Sequence, residues 1–256
     1  MRAFSRSVVL VCALLLVAGW GFADERYSEV FDQTFELGSG GTFALDNVNG
    51  DVSVEVWERA EVHVYAIKSA SSQELLDRLE IDVDAGRSAV RIDTRYPSTR
   101  DYQSEGRSHM KVEYTLRVPR QVAIDEIELV NGNLTVIGVE GGVHAECVNG
   151  TIVVRESAGD ASLSTVNGGI ELYAGRLGAG DEVELESVNG SVDLFLSGSA
   201  GAEIRAESVN GRIQNDFGIE VHKGKYVGSN LQGTVGGGGA RVEIETVNGK
   251  IAVLGW

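Results

Sequence analysis

Carboxylates supply the spacing most able to do chemistry in this chain. Glu128, Glu146, Glu186, Glu207 and Glu245 each stand two residues before the Val of a recurring Val-Asn-Gly tripeptide, with Ser164 in the same place in one copy. If those copies stack in register, the acids form a column and Glu128–Glu146 and Glu186–Glu207 become side-by-side pairs. Like charges about 5 Å apart disfavour each other by roughly 1 kcal/mol in water. Such a column could hold Ca²⁺ or Mg²⁺ loosely, since hard cations prefer oxygen ligands. It could also supply the acid and base of a glycan-cleaving site. The competing reading is a hydrated acidic face, relieved by Arg155, Arg205 and His144.

Other chemistry finds less support. A uniform row of Glu lacks the contrasting surroundings that set an acid apart from a base. No aromatic platform for a sugar is evident: Trp57, Tyr65 and Tyr96 precede the repeats, and Tyr173 and Tyr226 stand alone within them. His63, His109, His144 and His222 show no metal-ligand spacing. Gly236 to Gly239 is followed by no Lys-Ser/Thr, so it is not a phosphate loop. No catalytic residue and no cofactor is expected beyond the weak cation column.

The tripeptide organises everything else. It occurs at Val48-Asn49-Gly50, Val130-Asn131-Gly132, Val148-Asn149-Gly150, Val166-Asn167-Gly168, Val188-Asn189-Gly190, Val209-Asn210-Gly211 and Val247-Asn248-Gly249. Steps of 18, 18, 22, 21 and 38 residues separate the last six copies, the final step being about two ordinary ones. A period near 20 marks a stacked repeat. Apolar residues sit five and three places before most of these Val residues and four and six places after them, as in Val143, Ala145, Ile152 and Val154. That alternation reads as strand, Asn-Gly corner, strand. Independent hairpins would also use Asn-Gly. A parallel β-solenoid better explains strict recurrence with one inward face.

In such a stack Asn131, Asn149, Asn167, Asn189, Asn210 and Asn248 should form a structural ladder of amides. Cys147, Thr165, Ser187, Ser208 and Thr246 precede the Val and suit a narrow inward corner. Gly suits a corner that admits no Cβ. Cys147 reads as a buried small side chain rather than a reactive thiol, and no intramolecular disulfide is possible once Cys12 leaves with a leader.

Residues 1–23 have the form of a secretory signal, with Arg2 and Arg6 before an apolar run and Gly21-Phe22-Ala23 at its end. Its loss leaves 20 Lys+Arg against 38 Asp+Glu, a net charge of −18. That balance argues against nucleic acid and anionic membranes as partners. The mature chain holds no apolar run long enough to span a bilayer. Residues 24–120 read as a β-rich N-terminal part. Val62, Val64 and Ile67 mark one strand there, and 80–84, 89–94 and 111–118 mark others. Ser71 to Leu79 reads as one short helix, with Ser71 as N-cap, Glu74 completing a capping box, and Leu75, Leu76 and Leu79 covering the solenoid end. Residues 97–109 read as a polar loop. Residues 121–256 form the repeat array, with one degenerate coil and a glycine turn between Asn215 and Arg241.

The leader, the Val-Asn-Gly-Asp-Val-Ser-Val-Glu-Val stretch at 48–56, Glu74-Leu75-Leu76, Arg-Val-Pro-Arg at 117–120 and the Thr-Val-Asn-Gly coils together resemble the exported bacterial "putative adhesin" family. The resemblance covers nearly all of the mature chain and implies an all-β, right-handed, single-stranded β-helix in the periplasm or at the cell surface. It implies no catalytic residues. The expected role is a non-enzymatic, adhesin-like protein presenting a rigid acidic face to an envelope, protein or glycan partner, with end-to-end self-association open to it. An envelope-stress module binding a cationic ligand or peptide, and a carbohydrate-active enzyme, are the alternatives.

Overall fold

The computed structural model describes residues 27–97, 109–198, 200–224 and 228–256. The leader and most of the polar loop at 97–109 lie outside them, as does Tyr226. The chain opens with β1 (Tyr27–Glu36), β2 (Thr42–Asn49), β3 (Val52–Trp57), β4 (Glu61–Ala70) and helix α1 (Gln73–Asp77). It continues through β5 (Glu80–Ala85), β6 (Ala89–Arg95), β7 (Met110–Pro119), β8 (Ala123–Asn131), β9 (Leu134–Ile137), β10 (Val143–Asn149) and β11 (Ile152–Ala158). Then come β12 (Ala161–Asn167), β13 (Ile170–Arg176), β14 (Glu182–Asn189), β15 (Val192–Leu196), β16 (Ala202–Ser208) and β17 (Ile213–Asn215). The last strands are β18 (Val221–Lys223), β19 (Ser229–Val235), β20 (Ala240–Asn248) and β21 (Ile251–Gly255).

These strands form two long sheets, one ordered β1-β4-β7-β3-β9-β11-β13-β15-β21-β17 and the other β18-β19-β16-β20-β14-β12-β10-β8-β2-β6-β5. Each Val-Asn-Gly is the corner where a coil passes from the second sheet to the first. The fold is therefore the expected all-β solenoid, with in-register parallel pairing such as Val143↔Ala161, Ala145↔Leu163 and Asn149↔Asn167. Its core is the row of inward alternating residues, including Ile152, Leu163, Ile170 and Leu172, all essentially sealed from solvent. Each such side chain contributes about 1.5–3 kcal/mol by leaving water. The coil at Asn49 belongs to the same stack, since β2 pairs with β8 and β3 with β9 in parallel register.

One end is closed by antiparallel strands: β4 pairs with β1 and β7, and β5 with β6. In β4 the inward residues are Val62, Val64, Ala66 and Ala70, so Ile67 turns to the other side. Helix α1 buries Leu75 and Leu76, with Leu79 sealed just beyond it. Its N-cap is Ser72, not Ser71: Ser72 Oγ accepts from the Leu75 N–H at 3.3 Å. Glu74 then falls one place too early to close a capping box, while the Ser71 N–H is engaged by the His109 carbonyl. Lys68 Nζ donates to the Leu79 carbonyl at 3.1 Å and meets Glu29 at 2.8 Å, fastening the cap to the helix.

Two expectations fail at the other end. The described residues between 215 and 241 make no degenerate coil; β19 runs antiparallel to β16, and β18 antiparallel to β19. Asn215 does face the stack, but it organises a turn, accepting from the Phe217 and Ile219 N–H groups and donating to the Ile219 carbonyl. The last coil is also out of chain order. β20 lies between β14 and β16, and β21 between β15 and β17. Gly236 to Gly239 carries the chain past the start of β16, where a Cβ on Gly201 would lie 2.2 Å from the Gly238 carbonyl oxygen. Positive φ at Gly236, Gly238 and Gly239 permits this tight crossing.

Candidate functional site

Stacking converts each repeated residue into a column. The amides run Asn49–Asn131–Asn149–Asn167–Asn189–Asn248–Asn210, and each Nδ2 donates to the Oδ1 of the Asn before it in that order at 2.8–3.0 Å. Inside the same corner runs a second ladder. Thr165, Ser187, Thr246 and Ser208 donate their hydroxyls to the carbonyls of Gly150, Gly168, Gly190 and Gly249 at 3.1–3.2 Å, and the Cys147 thiol reaches the Gly132 carbonyl at 3.3 Å. In these five coils the residue before Val thus serves as a donor as well as fitting by size. Burial pushes the Cys147 thiol pKa up, which keeps it unreactive.

On the outer face of the second sheet the acids run Asp46–Glu128–Glu146–Ser164–Glu186–Glu245–Glu207. Glu128 and Glu146 are neighbours as expected. Glu186 and Glu207 are not, because the Glu245 coil is inserted between them. Asp46 was not among the expected acids, although it stands two residues before Val48 and the same count would have found it.

At one end Asp46, Glu126 and Glu128 bring carboxylate oxygens within 4.8 Å of one another. Arg91 reaches Asp46 at 2.9 Å and Glu126 at 3.6 Å. Partial desolvation, then the Glu126 and Asp46 carboxylates, raise the Glu128 pKa. At the other end Glu186 is raised too, by desolvation and then by Glu184 and Glu245. Arg205 is held by Glu207 at 2.8 Å and Glu243 at 3.8 Å. Among the described residues no cation lies within ion-pair distance of Glu186 or Glu245.

Next to the acids stands a column that sequence reasoning used only as a counting mark. The Val of every tripeptide points outward, between 37% (Val48) and 52% (Val209) exposed. Ser164, Val166, Glu186, Val188, Glu245 and Val247 line one shallow depression, so acids and valines share a continuous surface.

The opposite sheet corrects the reading of Tyr173 as isolated. Its ring stacks on Phe195 at 4.1 Å between centroids and 4° between planes, and Trp256 meets it edge-on at 6.2 Å. Arg155 covers the ring at 4.8 Å, so both faces of Tyr173 are occupied. Register pairing of Arg155, Tyr173 and Phe195 creates this stack, and it follows from their common place seven residues after Val. His63 pairs with Asp32 at 2.8 Å and His144 approaches Glu146 at 3.8 Å.

Residues 38–254 match the Toastrack family DUF4097, and the chain belongs to that family. In fold it is similar to a "putative cell adhesion protein" from Clostridium sporogenes, with 15% identity, a TM-score of 0.52, and coverage of 91% of this chain and 100% of that one. A "putative adhesin" from Bacteroides fragilis is 12% identical over 88% of this chain and 97% of its own, with a TM-score of 0.40. Another, from Parabacteroides merdae, is 12% identical over 89% and 96%, with a TM-score of 0.38. No curated protein shows significant similarity to the chain.

Proposed function

We propose that this Toastrack protein is an exported, non-enzymatic, adhesin-like envelope protein, and that the outer face bearing the acids and valines is its binding surface. One observation carries the reading: among the described residues Glu186 and Glu245 have no cation within ion-pair distance and stand beside half-exposed valines, while Arg205 and Arg241 are held by neighbouring acids. Exposed charge and exposed apolar surface together suit recognition better than either alone. The leader-like residues 1–23 and the similarity to an adhesion protein support export and a surface role. Repetition of acids at one strand position, rather than one convergent acid–base pair in a cleft, favours binding over glycan hydrolysis.

A short oligolysine titrated against the protein tests this. It should bind, weaken steeply as salt rises, and weaken further when Glu186 and Glu245 are changed to Gln. Binding that ignores salt and those changes refutes the assignment. Release of reducing ends from neutral or anionic glycans would instead favour the enzyme.

One local observation favours a second reading, weak Ca²⁺ or Mg²⁺ binding. The Asp46 Oδ1 is buried without a hydrogen-bond partner beside the Glu126 and Glu128 carboxylates. Millimolar Ca²⁺ should then raise the melting temperature, and Glu128→Gln should abolish the rise; no rise ends the cation reading. The same titration on Glu146→Gln, Glu186→Gln and Glu207→Gln separates a column of sites from this one cluster.

A further inference from the structure

The geometry points to a basic amphipathic helix of another protein or peptide as the occupant of the acid-and-valine face, an inference that rests on the binding surface assigned above. Two parallel columns run along the solenoid axis. One is acidic, densest at Glu186, Glu245 and Glu207; the other is Val188, Val247 and Val209. Within a strand the two columns are two residues apart, or about 6.6–6.8 Å. A partner must therefore offer a basic row and an apolar row side by side, both parallel to the axis.

Periodicity selects the conformation of that partner. Coils repeat about every 4.8 Å. A helix returns side chains to one face about every 5.4 Å. Laid along the axis, it slips by only about 0.6 Å per coil, which long Lys or Arg side chains absorb over three or four coils. An extended strand in the same direction repeats about every 6.6–6.8 Å and slips by about 2 Å per coil. It loses register after the second contact. A strand laid across the axis crosses each column once. The helix alone keeps both rows engaged.

Charge and composition narrow the source. The chain carries a net charge of −16, so a second copy offering the same face is repelled. Among the described residues the chain's own helix, Gln73–Asp77, is five residues long and lies in the cap with its leucines buried. Anionic lipid and nucleic acid meet like charge. A cationic helix meets complementary charge and apolar contact together, the groove mode of helix recognition.

The test uses two labelled 18-residue peptides of identical Lys and Leu content. One places Lys and Leu in adjacent helical rows; the other is scrambled so that no helical face forms. Binding is followed by fluorescence anisotropy and circular dichroism on the whole protein and on two variants, Glu186→Gln/Glu245→Gln and Val188→Thr/Val247→Thr. The amphipathic peptide should bind about tenfold tighter than the scramble, gain helix on binding, and lose about tenfold in affinity with the Gln variant. The Thr variant should weaken that peptide more than the scramble. Equal affinities for both peptides, each reduced by the Gln changes, overturn the helix and leave the acidic binding face standing. Affinities that ignore the Gln changes, or no binding by either peptide, overturn both. Melting curves establish that the surface variants are folded.

Discussion

Gly168 and Gly169 are adjacent, yet the structure assigns them opposite sensitivities to a single methyl group. A Cβ on Gly168 would stand 1.9 Å from the Gly150 carbonyl oxygen and 2.6 Å from its carbon, both backbone atoms of the preceding coil. On Gly169 the nearest atom would be the Ser191 carbonyl oxygen at 3.3 Å. Reaching a tolerable contact at 168 opens the corner by about 1 Å, which close-packed coils resist. That opening stretches the bonds from Gly150 N–H to the Asn167 carbonyl and from Ile152 N–H to the Gly169 carbonyl, now 3.1 and 3.0 Å. It also stretches Thr165 Oγ1 to the Gly150 carbonyl and Asn167 Nδ2 to Asn149 Oδ1, now 3.2 and 2.9 Å. At about 1 kcal/mol per bond, Gly168→Ala costs about 3–4 kcal/mol. For a chain of this size that lowers the melting temperature by about 6–16 °C. Gly169→Ala should stay within about 1 kcal/mol of the parent, since a shift of a few tenths of an ångström relieves it. Thermal and urea unfolding of the two variants decides the matter. Equal effects would mean that the corners do not stack carbonyl over glycine, and the ladder argument would fall.

Further outcomes follow from the same columns. The Glu128 and Glu186 carboxyls have folded pKa values raised by desolvation and neighbouring acids, so the folded state holds their protons more tightly than the unfolded state. Stability should therefore rise as pH falls from 7 through their raised pKa values, and level off below the ordinary Glu value. Glu186→Gln should raise the melting temperature at pH 7 and flatten that slope; a slope of opposite sign refutes the assignment. Cys147→Ser replaces a weak thiol donor to the Gly132 carbonyl with a hydroxyl and should stabilise by about 0.5–1 kcal/mol, measured by urea unfolding. The native Cys147 thiol should resist alkylation until the chain unfolds. Hydrogen exchange should show 202–215 and 240–253 opening as one unit, and Ile244→Ala should lower protection equally in both while leaving 143–176 unchanged.

The periodic part of the fold was legible because one physical demand, a corner that fits against an identical corner, repeats in the sequence. Asn for the outer ladder, Gly under a carbonyl and, in five of the seven copies, a small residue inside recur at fixed offsets from Val. The hydroxyl ladder needed the structure, since Cys, Ser and Thr read equally well as merely small. Columns of outward residues were legible only where their chemistry was uniform. The acids were seen because they are alike. Arg155, Tyr173 and Phe195 share a column but not a residue type, so no pattern announced their stack. Asp46 stands in a less regular stretch of sequence, yet it belongs to the same column, since β2 pairs with β8 as any coil pairs with the next.

The order of the coils is the one feature that offsets could not carry. Five residues link β13 to β14, which lie in neighbouring coils, and five link β15 to β16, which lie two coils apart. Link length therefore says nothing about the gap, and the inward residues of each coil fit either neighbour: Leu185 meets Ile244, and Ile244 meets Ala206. What fixes the order is β19, which occupies the far side of β16 and returns the chain, through four glycines, to β16's near side. Solenoid stability is largely a sum over neighbouring coils. Among the described residues no strand of the Asn210 coil pairs with a strand of the Asn189 coil; its partners are the Asn248 coil on one side and β19 on the other. Loosening the Asn248 coil must therefore release the Asn210 coil, which precedes it in sequence, and spare the Asn167 coil, which does not touch it. If exchange after Ile244→Ala instead released β16 while β14 kept its full protection, the coils would be stacked in chain order, because β14 would then not touch β20.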